Sequence, residues 1–212
     1  MRVALDDGHG TETPGKRTPK FPDGSFMHEH EFNSAVVDII AGELKRHSVD
    51  VVLTVTEAYD VPLQTRCDIA NREKADIFVS VHANAYGDGV NFNEACGIDT
   101  FHYPNSVEGK RLAECIHKYL MQGTPLENRG VKTATWHVLK YTHMPAVLCE
   151  CGFMTNLHEA KMLMSDWYRQ ECAKEITQGI LEYLGVKYIP LLDYKVKYEA
   201  LKEALRDILE KL

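Results

Sequence analysis

Apolar and polar positions change their spacing in blocks along the chain, and the blocks predict strands and helices in turn. Val3 to Leu5 is a short apolar run that ends in DDGHG, a pattern for a buried strand feeding a loop. From Phe32 the apolar positions Val36, Val37, Ile39, Ile40 and Leu44 recur at helical spacing. Val51 to Val55 is β-branched and reads as the next strand. A helix follows over residues 61–75, with Leu63, Cys67 and Ala70 on one face. DIFVSVHANA is a strongly apolar strand that runs out at His82, and ACGIDTFHY is a further strand. SVEGKRLAECIHKYLM is an amphipathic helix, PAVLCECGF a short strand ending at Gly152, and residues 156–183 one or two helices. Alternation of this kind predicts an α/β fold: a twisted, mainly parallel sheet flanked by helices on both faces.

Two stretches depart from the alternation. Residues 11–28 carry three prolines and two glycines and form a loop longer than most structureless connections, a length often tied to function. After Gly185, the residues Leu191, Tyr194, Tyr198, Leu201, Leu205, Ile208 and Leu212 fall at three- and four-residue steps. This predicts an appended C-terminal helix, with Pro190 and Asp193 marking its start. The chain divides into a domain at 1–186 and a tail at 187–212, which reads either as a helix packed on its own domain or as a linker or self-association helix that makes a homodimer.

Composition narrows the function. With 212 residues, 44% hydrophobic and 26% charged, the chain has material for one substantial core. A net charge of -7 and the lack of a Lys/Arg run exclude a general nucleic-acid binder. No segment approaches roughly 18 consecutive apolar residues, so no membrane span is expected. The first residues, MRVALDDGHG, carry no signal-peptide pattern. The six cysteines form no CxxC pair and read as buried small hydrophobes rather than a zinc or disulfide framework.

Ten histidines are present, and His47, His117 and His158 fall in helical stretches that read as exposed. His9 differs because two glycines flank it, and His82 differs because it ends an apolar strand. Ligands of open α/β sheets collect at the carboxyl ends of strands. His9, His82 and Glu150 each fall at or just past such an end. Two histidines with an acidic residue from HEHEFN make a three-ligand metal set with an open position plausible. His28, Glu29, His30 and Glu31 are all competent ligands, and spacing does not choose among them. Glu150 lies in the apolar strand AVLCECGF, where an unpaired carboxylate is costly. It requires an ion pair, with Arg66 or Arg129 as partner, or a task as general base and acid. In a strand, Cys149 and Cys151 share one face and Glu150 points to the other.

The stretches LDDGHG, EHEFN, DVVLT, VPLQTRCDIAN, ADIFVSVHANA, GIDTFHY, NRGVK, VLKYTHMPAVLCECGFMTN and ECAKEITQGILEYL, taken in order over residues 1–185, resemble the zinc-dependent N-acetylmuramoyl-L-alanine amidases of bacterial autolysins and phage endolysins. One departure is Asp7, where the family motif commonly has Pro. The resemblance implies hydrolysis of the amide between the lactyl group of N-acetylmuramic acid and L-alanine in bacterial peptidoglycan. It implies one Zn2+ held by His9, Glu29 and His82, with Glu150 as the catalytic acid/base. Asn84, Arg129 and Asn156 lie in matching motifs and are candidate wall contacts, each with a turn or capping bond as its alternative. A zinc peptidase acting within the wall peptides and a wall-binding module without turnover are the competing readings. The lack of a signal peptide favours a phage lysin, held in the host cytoplasm until release onto the cell wall, over a protein secreted by a leaderless route or one that has lost its leader.

Overall fold

A computed structural model of the chain describes residues 1–191 and Lys202. Among these, six strands form one sheet: β1 (Arg2–Asp6), β2 (Asp50–Leu53), β3 (Ile77–Asn84), β4 (Ile98–His102), β5 (Asn128–Thr133) and β6 (Ala146–Phe153), in the order β2-β1-β3-β6-β4-β5. All neighbours run parallel except β4 against β6. The helices are α1 (Glu29–Arg46), α2 (Leu63–Arg72), α3 (Val107–Gly123), α4 (His137–Lys140), α5 (Leu157–Leu163) and α6 (Asp166–Leu184). The expected α/β architecture is present. The expected tail helix and its homodimer contact fall almost wholly outside the described residues. No helix among the described residues is long and apolar enough to cross a membrane.

Two elements escape the hydrophobic pattern. β5 is an edge strand of polar sequence, NRGVKT, paired only with β4, so no alternation marks it. α4 spans four residues, less than two turns. The helix expected from Phe32 begins at Glu29, where the Glu31 carboxylate accepts the His28 N–H at 2.7 Å. Glu29 and Glu31 also suit the positive end of the helix dipole.

Strand alternation sorts the core into two layers. Val3, Leu5, Val79, Val81, Val147, Cys149 and Cys151 pack with α1, α3 and α6. The alternate residues Ala4, Phe78, Ala146 and Leu148 face α2 and α4. These two helices are about 15 and 6 Å long. The sheet is thus thickly covered on one face and thinly on the other. On the thin face, beyond the last apolar residues, stand Asp6, Ser80, His82 and Glu150. All six cysteines are free.

His47 and His117 are buried, contrary to the exposed positions their helical context predicts. His117 spans Thr100 Oγ1 at 3.0 Å and Asn128 Oδ1 at 2.9 Å, tying α3 to β4 and β5. His47 closes α1: its Nδ1 contacts Glu43 O at 2.8 Å and its Nε2 accepts the Ile189 N–H at 2.9 Å. Arg46 donates to Ile189 O at 2.5 Å, and the Tyr188 ring stacks on His47. Gly185, at φ 71°, ends α6 and turns the chain toward this clamp.

Glu175 supplies a test of the thick layer. It is buried on α6, with Glu171 one turn away. Burial first, and the Glu171 charge second, push its carboxyl up from 4.5 to about 8. The folded protein therefore retains a proton that the unfolded chain releases near 4.5. The stability this contributes is complete below about pH 4.5 and is lost as pH rises through about 8. Glu175→Gln is expected to flatten the fall in melting temperature over this window. Parallel melting curves for the two proteins across the window would overturn the assignment.

Candidate metal centre and active site

The site is assembled from both faces of the sheet. β3 carries His82 on the thin face, and β1 ends at Asp6 beside it, in register with Ser80. The chain then turns at Gly8, with φ +68°. A Cβ there would stand 2.7 Å from His82 Cε1 and 2.6 Å from Asn33 Nδ2, so only glycine lets the loop lie this close. The turn delivers His9 edge-on to His82, with ring centroids 5.1 Å apart. Glu29, the first residue of α1, reaches the same point from the thick face.

His9, Glu29 and His82 present ligand atoms within 4.8 Å of one another. Glu29 Oε1 is saturated: it faces His82 Nδ1 at 2.9 Å and accepts from Ala83 N at 3.2 Å and Asn33 Nδ2 at 3.4 Å. Glu29 Oε2 is buried and has no hydrogen-bond partner among the described residues. Around it stand His9 Nε2 at 4.0 Å and Lys16 Nζ at 3.9 Å. Burial would raise the Glu29 pKa, but the His82 hydrogen bond and the charges of His82, His9 and Lys16 hold it at about 2. Burial lowers His9 to about 4, so it is a neutral imidazole with a lone pair to give. A fixed carboxylate with an unused oxygen, beside a neutral histidine, fits a divalent metal with one position left open.

The second histidine is oriented from behind. His82 Nε2 lies 3.0 Å from Ser80 Oγ, and Ser80 Oγ donates to Asp6 Oδ2 at 2.5 Å. With that proton given to Asp6, Ser80 can accept from His82 Nε2–H, and a metal on Nδ1 would then replace the proton that Nδ1 shares with Glu29 Oε1. Asp6 is held in turn by Arg66 Nη1 at 2.9 Å and Thr54 Oγ1 at 2.8 Å. On protein charges alone His82 lies between two acceptors, and although burial opposes it, the Glu29 hydrogen bond raises its pKa. A metal ion would supply the positive charge that a proton supplies otherwise.

Glu150 pairs in register with His82 on one side and Asp99 on the other. Its Oε2 has no hydrogen-bond partner among the described residues. Burial pushes its carboxyl up to about 7; His82 opposes this and Glu29 adds to it. The two arginines that offered an ion pair are engaged elsewhere. Arg66 holds Asp6, and Arg129 donates to Asp99 Oδ2 at 2.8 Å. Glu150 thus has the placement and the basicity of a general base near neutral pH. It lines a cleft of about 400 Å³ with His9, Lys16, Leu63, His82, Asn84 and Trp136 among its walls.

The remaining expected residues are dispersed. His28 precedes α1, and His30 turns Nδ1 to the His9 carbonyl at 2.9 Å and to Asp7 at 3.6 Å, so neither joins the ligand cluster. Asp7, in the position where Pro is common, is buried; that burial first, then Asp6, raises it to about 6. Asn84 lines the cleft and donates to Asp99 at 3.4 Å. Arg129 braces Asp99 and donates to Cys96 O at 3.1 Å. Asn156 caps α5, its Oδ1 accepting from His158 and Glu159 N–H groups, away from the metal cluster. Asp6, Ser80, Lys16 and Trp136 were not singled out by sequence. For Asp6 a signal existed, because a carboxylate ends an apolar strand there as Glu150 does in its own.

The chain is similar to known proteins over most of its length. The profile of the family described as N-acetylmuramoyl-L-alanine amidase (Amidase_3) matches residues 3–182. The N-acetylmuramoyl-L-alanine amidase LytC of Bacillus subtilis is 33% identical over 182 residues, which are 85% of this chain and 35% of LytC. An endolysin of Bacillus phage SPP1 is 33% identical over 193 residues, 87% of this chain and 66% of the endolysin. The catalytic domain of CwlV, an N-acetylmuramoyl-L-alanine amidase from Bacillus (Paenibacillus) polymyxa var. colistinus, superposes with a TM-score of 0.77 at 32% identity, covering 88% of this chain and 99% of that domain.

The relay behind His82 has a measurable consequence. Ser80→Ala removes the acceptor that fixes the ring and is expected to weaken Zn2+ binding roughly 10–100-fold. Chelator competition at fixed pH reads this directly. An unchanged dissociation constant would show that Ser80 does not orient the ligand.

Proposed function

Because this chain belongs to the N-acetylmuramoyl-L-alanine amidase family, we propose that it hydrolyses the amide between the muramoyl lactyl group and L-alanine in peptidoglycan, with Zn2+ held by His9, Glu29 and His82 and with Glu150 as general base and acid. Residues 1–186 are the catalytic unit in this reading. One observation supports it: Glu29 Oε2, without a hydrogen-bond partner among the described residues, lies against His9 and Lys16, which line the same cleft as Glu150, whose Oε2 likewise has none.

A zinc ion on these ligands supplies a Lewis acid for the amide carbonyl and a water of lowered pKa. The chain's own residues do the rest. Glu150 takes the proton of the attacking water, for which a carboxyl raised to about 7 is suited. The same carboxyl returns the proton to the departing alanine nitrogen, so that an amine leaves instead of an amide anion. The Ser80–Asp6 relay keeps His82 in one tautomer throughout. Lys16 adds positive charge beside Glu29 Oε2, and would favour an oxygen that becomes negative nearby.

The finer role of phage lysin is part of the proposal and is supported by the similarity to a protein named endolysin. It predicts that the chain lyses the producing bacterium when co-expressed with a membrane-permeabilising protein, and leaves it intact when expressed alone.

Digestion of purified peptidoglycan tests the main reading. New L-alanine amino termini without new reducing ends are expected. Cuts inside the peptides with the muramoyl amide intact would mean a peptidase, and no soluble product would mean a binding module. Glu150→Gln is expected to keep its zinc and lose at least about 100-fold in kcat. A variant that remains active would remove Glu150 from its role.

A further inference from the structure

The two walls of the cleft differ in chemistry. One wall belongs to the loop that precedes α1 and carries Lys16, whose carbonyl accepts the Glu29 N–H at 3.0 Å. The other belongs to α2 and α4 and presents Leu63, Trp136 and Val138. Trp136 is 41% exposed and Leu63 46% exposed, although both line a cavity that also holds charged residues. A large indole left half open beside a catalytic carboxylate is surface waiting for a ligand.

Its position is fixed. The Trp136 carbonyl accepts the N–H groups of Leu139 at 3.1 Å and Lys140 at 3.0 Å, which holds the residue as the N-cap of α4. Beneath the indole lies the Phe101 ring, 4.5 Å away between centroids. Phe101 is the register partner of Leu148 across β4 and β6, and Glu150 is the partner of Asp99. Phe101 therefore sits about two residues, or roughly 7 Å, along the strands from the row of Glu150, with the indole packed on it in the same cleft as Glu150. That distance is comparable with one pyranose ring.

This placement, taken with the reading that the substrate is the muramoyl–alanine amide, identifies the occupant. In peptidoglycan the stem peptides carry small or ionised side chains. The sugars present flat, neutral faces of C–H bonds. The muramoyl ring is joined through its lactyl group to the bond that is cut, so it must lie within one ring of Glu150. We propose that Trp136, backed by Phe101, is the stacking platform for the muramoyl sugar, and that the stem peptide lies toward the Lys16 wall. The wall of like chemistry receives each half of the substrate.

The chain has two tryptophans. The other, Trp167, is exposed on α6. In the full chain carrying Trp167→Phe, emission reports Trp136 alone. Peptide-free GlcNAc–MurNAc oligosaccharide is expected to change that emission saturably, and free stem peptide to leave it unmoved. An oligosaccharide that causes no change, or a peptide that causes one, overturns the proposal. In kinetics on soluble wall fragments, Trp136→Ala is expected to raise KM about three- to tenfold, with kcat and zinc content little changed. Trp136→Phe is expected to recover most of the loss, and an unchanged KM in Trp136→Ala would count against stacking. The titration needs no turnover and retains Trp136. It therefore decides the matter if the alanine variant misfolds, and also if the protein releases no L-alanine ends, which would sink the proposed reaction separately.

Discussion

The contact between Glu29 and His82 joins the two sides of the molecule. Glu29 begins the longest helix of the thick layer but one, and His82 stands near the end of β3 on the thin face. Their carboxylate–imidazole pair is buried, at 2.9 Å, near the carboxyl ends of the central strands. Everything at the site follows from it. Oε1 is committed to His82, Ala83 and Asn33, and so Oε2 is left facing His9. A buried carboxylate oxygen without a hydrogen bond is costly, and here positive charge offsets that cost: Lys16 stands 3.9 Å from it, and a bound cation would add more.

The supporting structure is a second buried ion pair. Arg66 is fully buried, an uncommon fate for arginine unless it is paired. It holds Asp6 at 2.9 Å, approaches Asp7 at 3.8 Å and reaches Asp60 at 3.3 Å. Asp6 then holds Ser80, and Ser80 holds His82. His82 is thus braced through three side chains by a helix on the thin face, while its partner Glu29 is braced by a helix on the thick face. Removing one charge from such a network strands the others, so the network is stiff even where its net contribution to stability is small.

Much of this was legible in the chain. Alternation along AVLCECGF separates Glu150 from Cys149 and Cys151, and the same rule puts His82 on the thin face and Val81 in the core. The apolar periodicity that marks α1, α3 and α6 comes from burial of whole helix faces. β5 carried no such mark, because an edge strand of polar residues owes its place to backbone pairing with β4. The choice of Glu29 among four neighbouring ligands was not legible from spacing; it depends on which side chain the first turn of α1 aims over the sheet edge. The histidines at 47 and 117 look solvated in sequence, but each has partners outside its own helix, Ile189 and Tyr188 for the first and Thr100 and Asn128 for the second, that only folding brings near. Lys16 sits in a loop whose length hinted at function without saying which residue carried it.

α1 is fastened at both ends. Its first residue is a ligand candidate, and its last turn clamps Tyr188 and Ile189 through Arg46 and His47. Eighteen residues of helix put these ends about 27 Å apart. Tyr188 and Ile189 are therefore held at the pole of the domain away from Glu29. A polymer as bulky as a wall strand could occupy the cleft without touching this clamp.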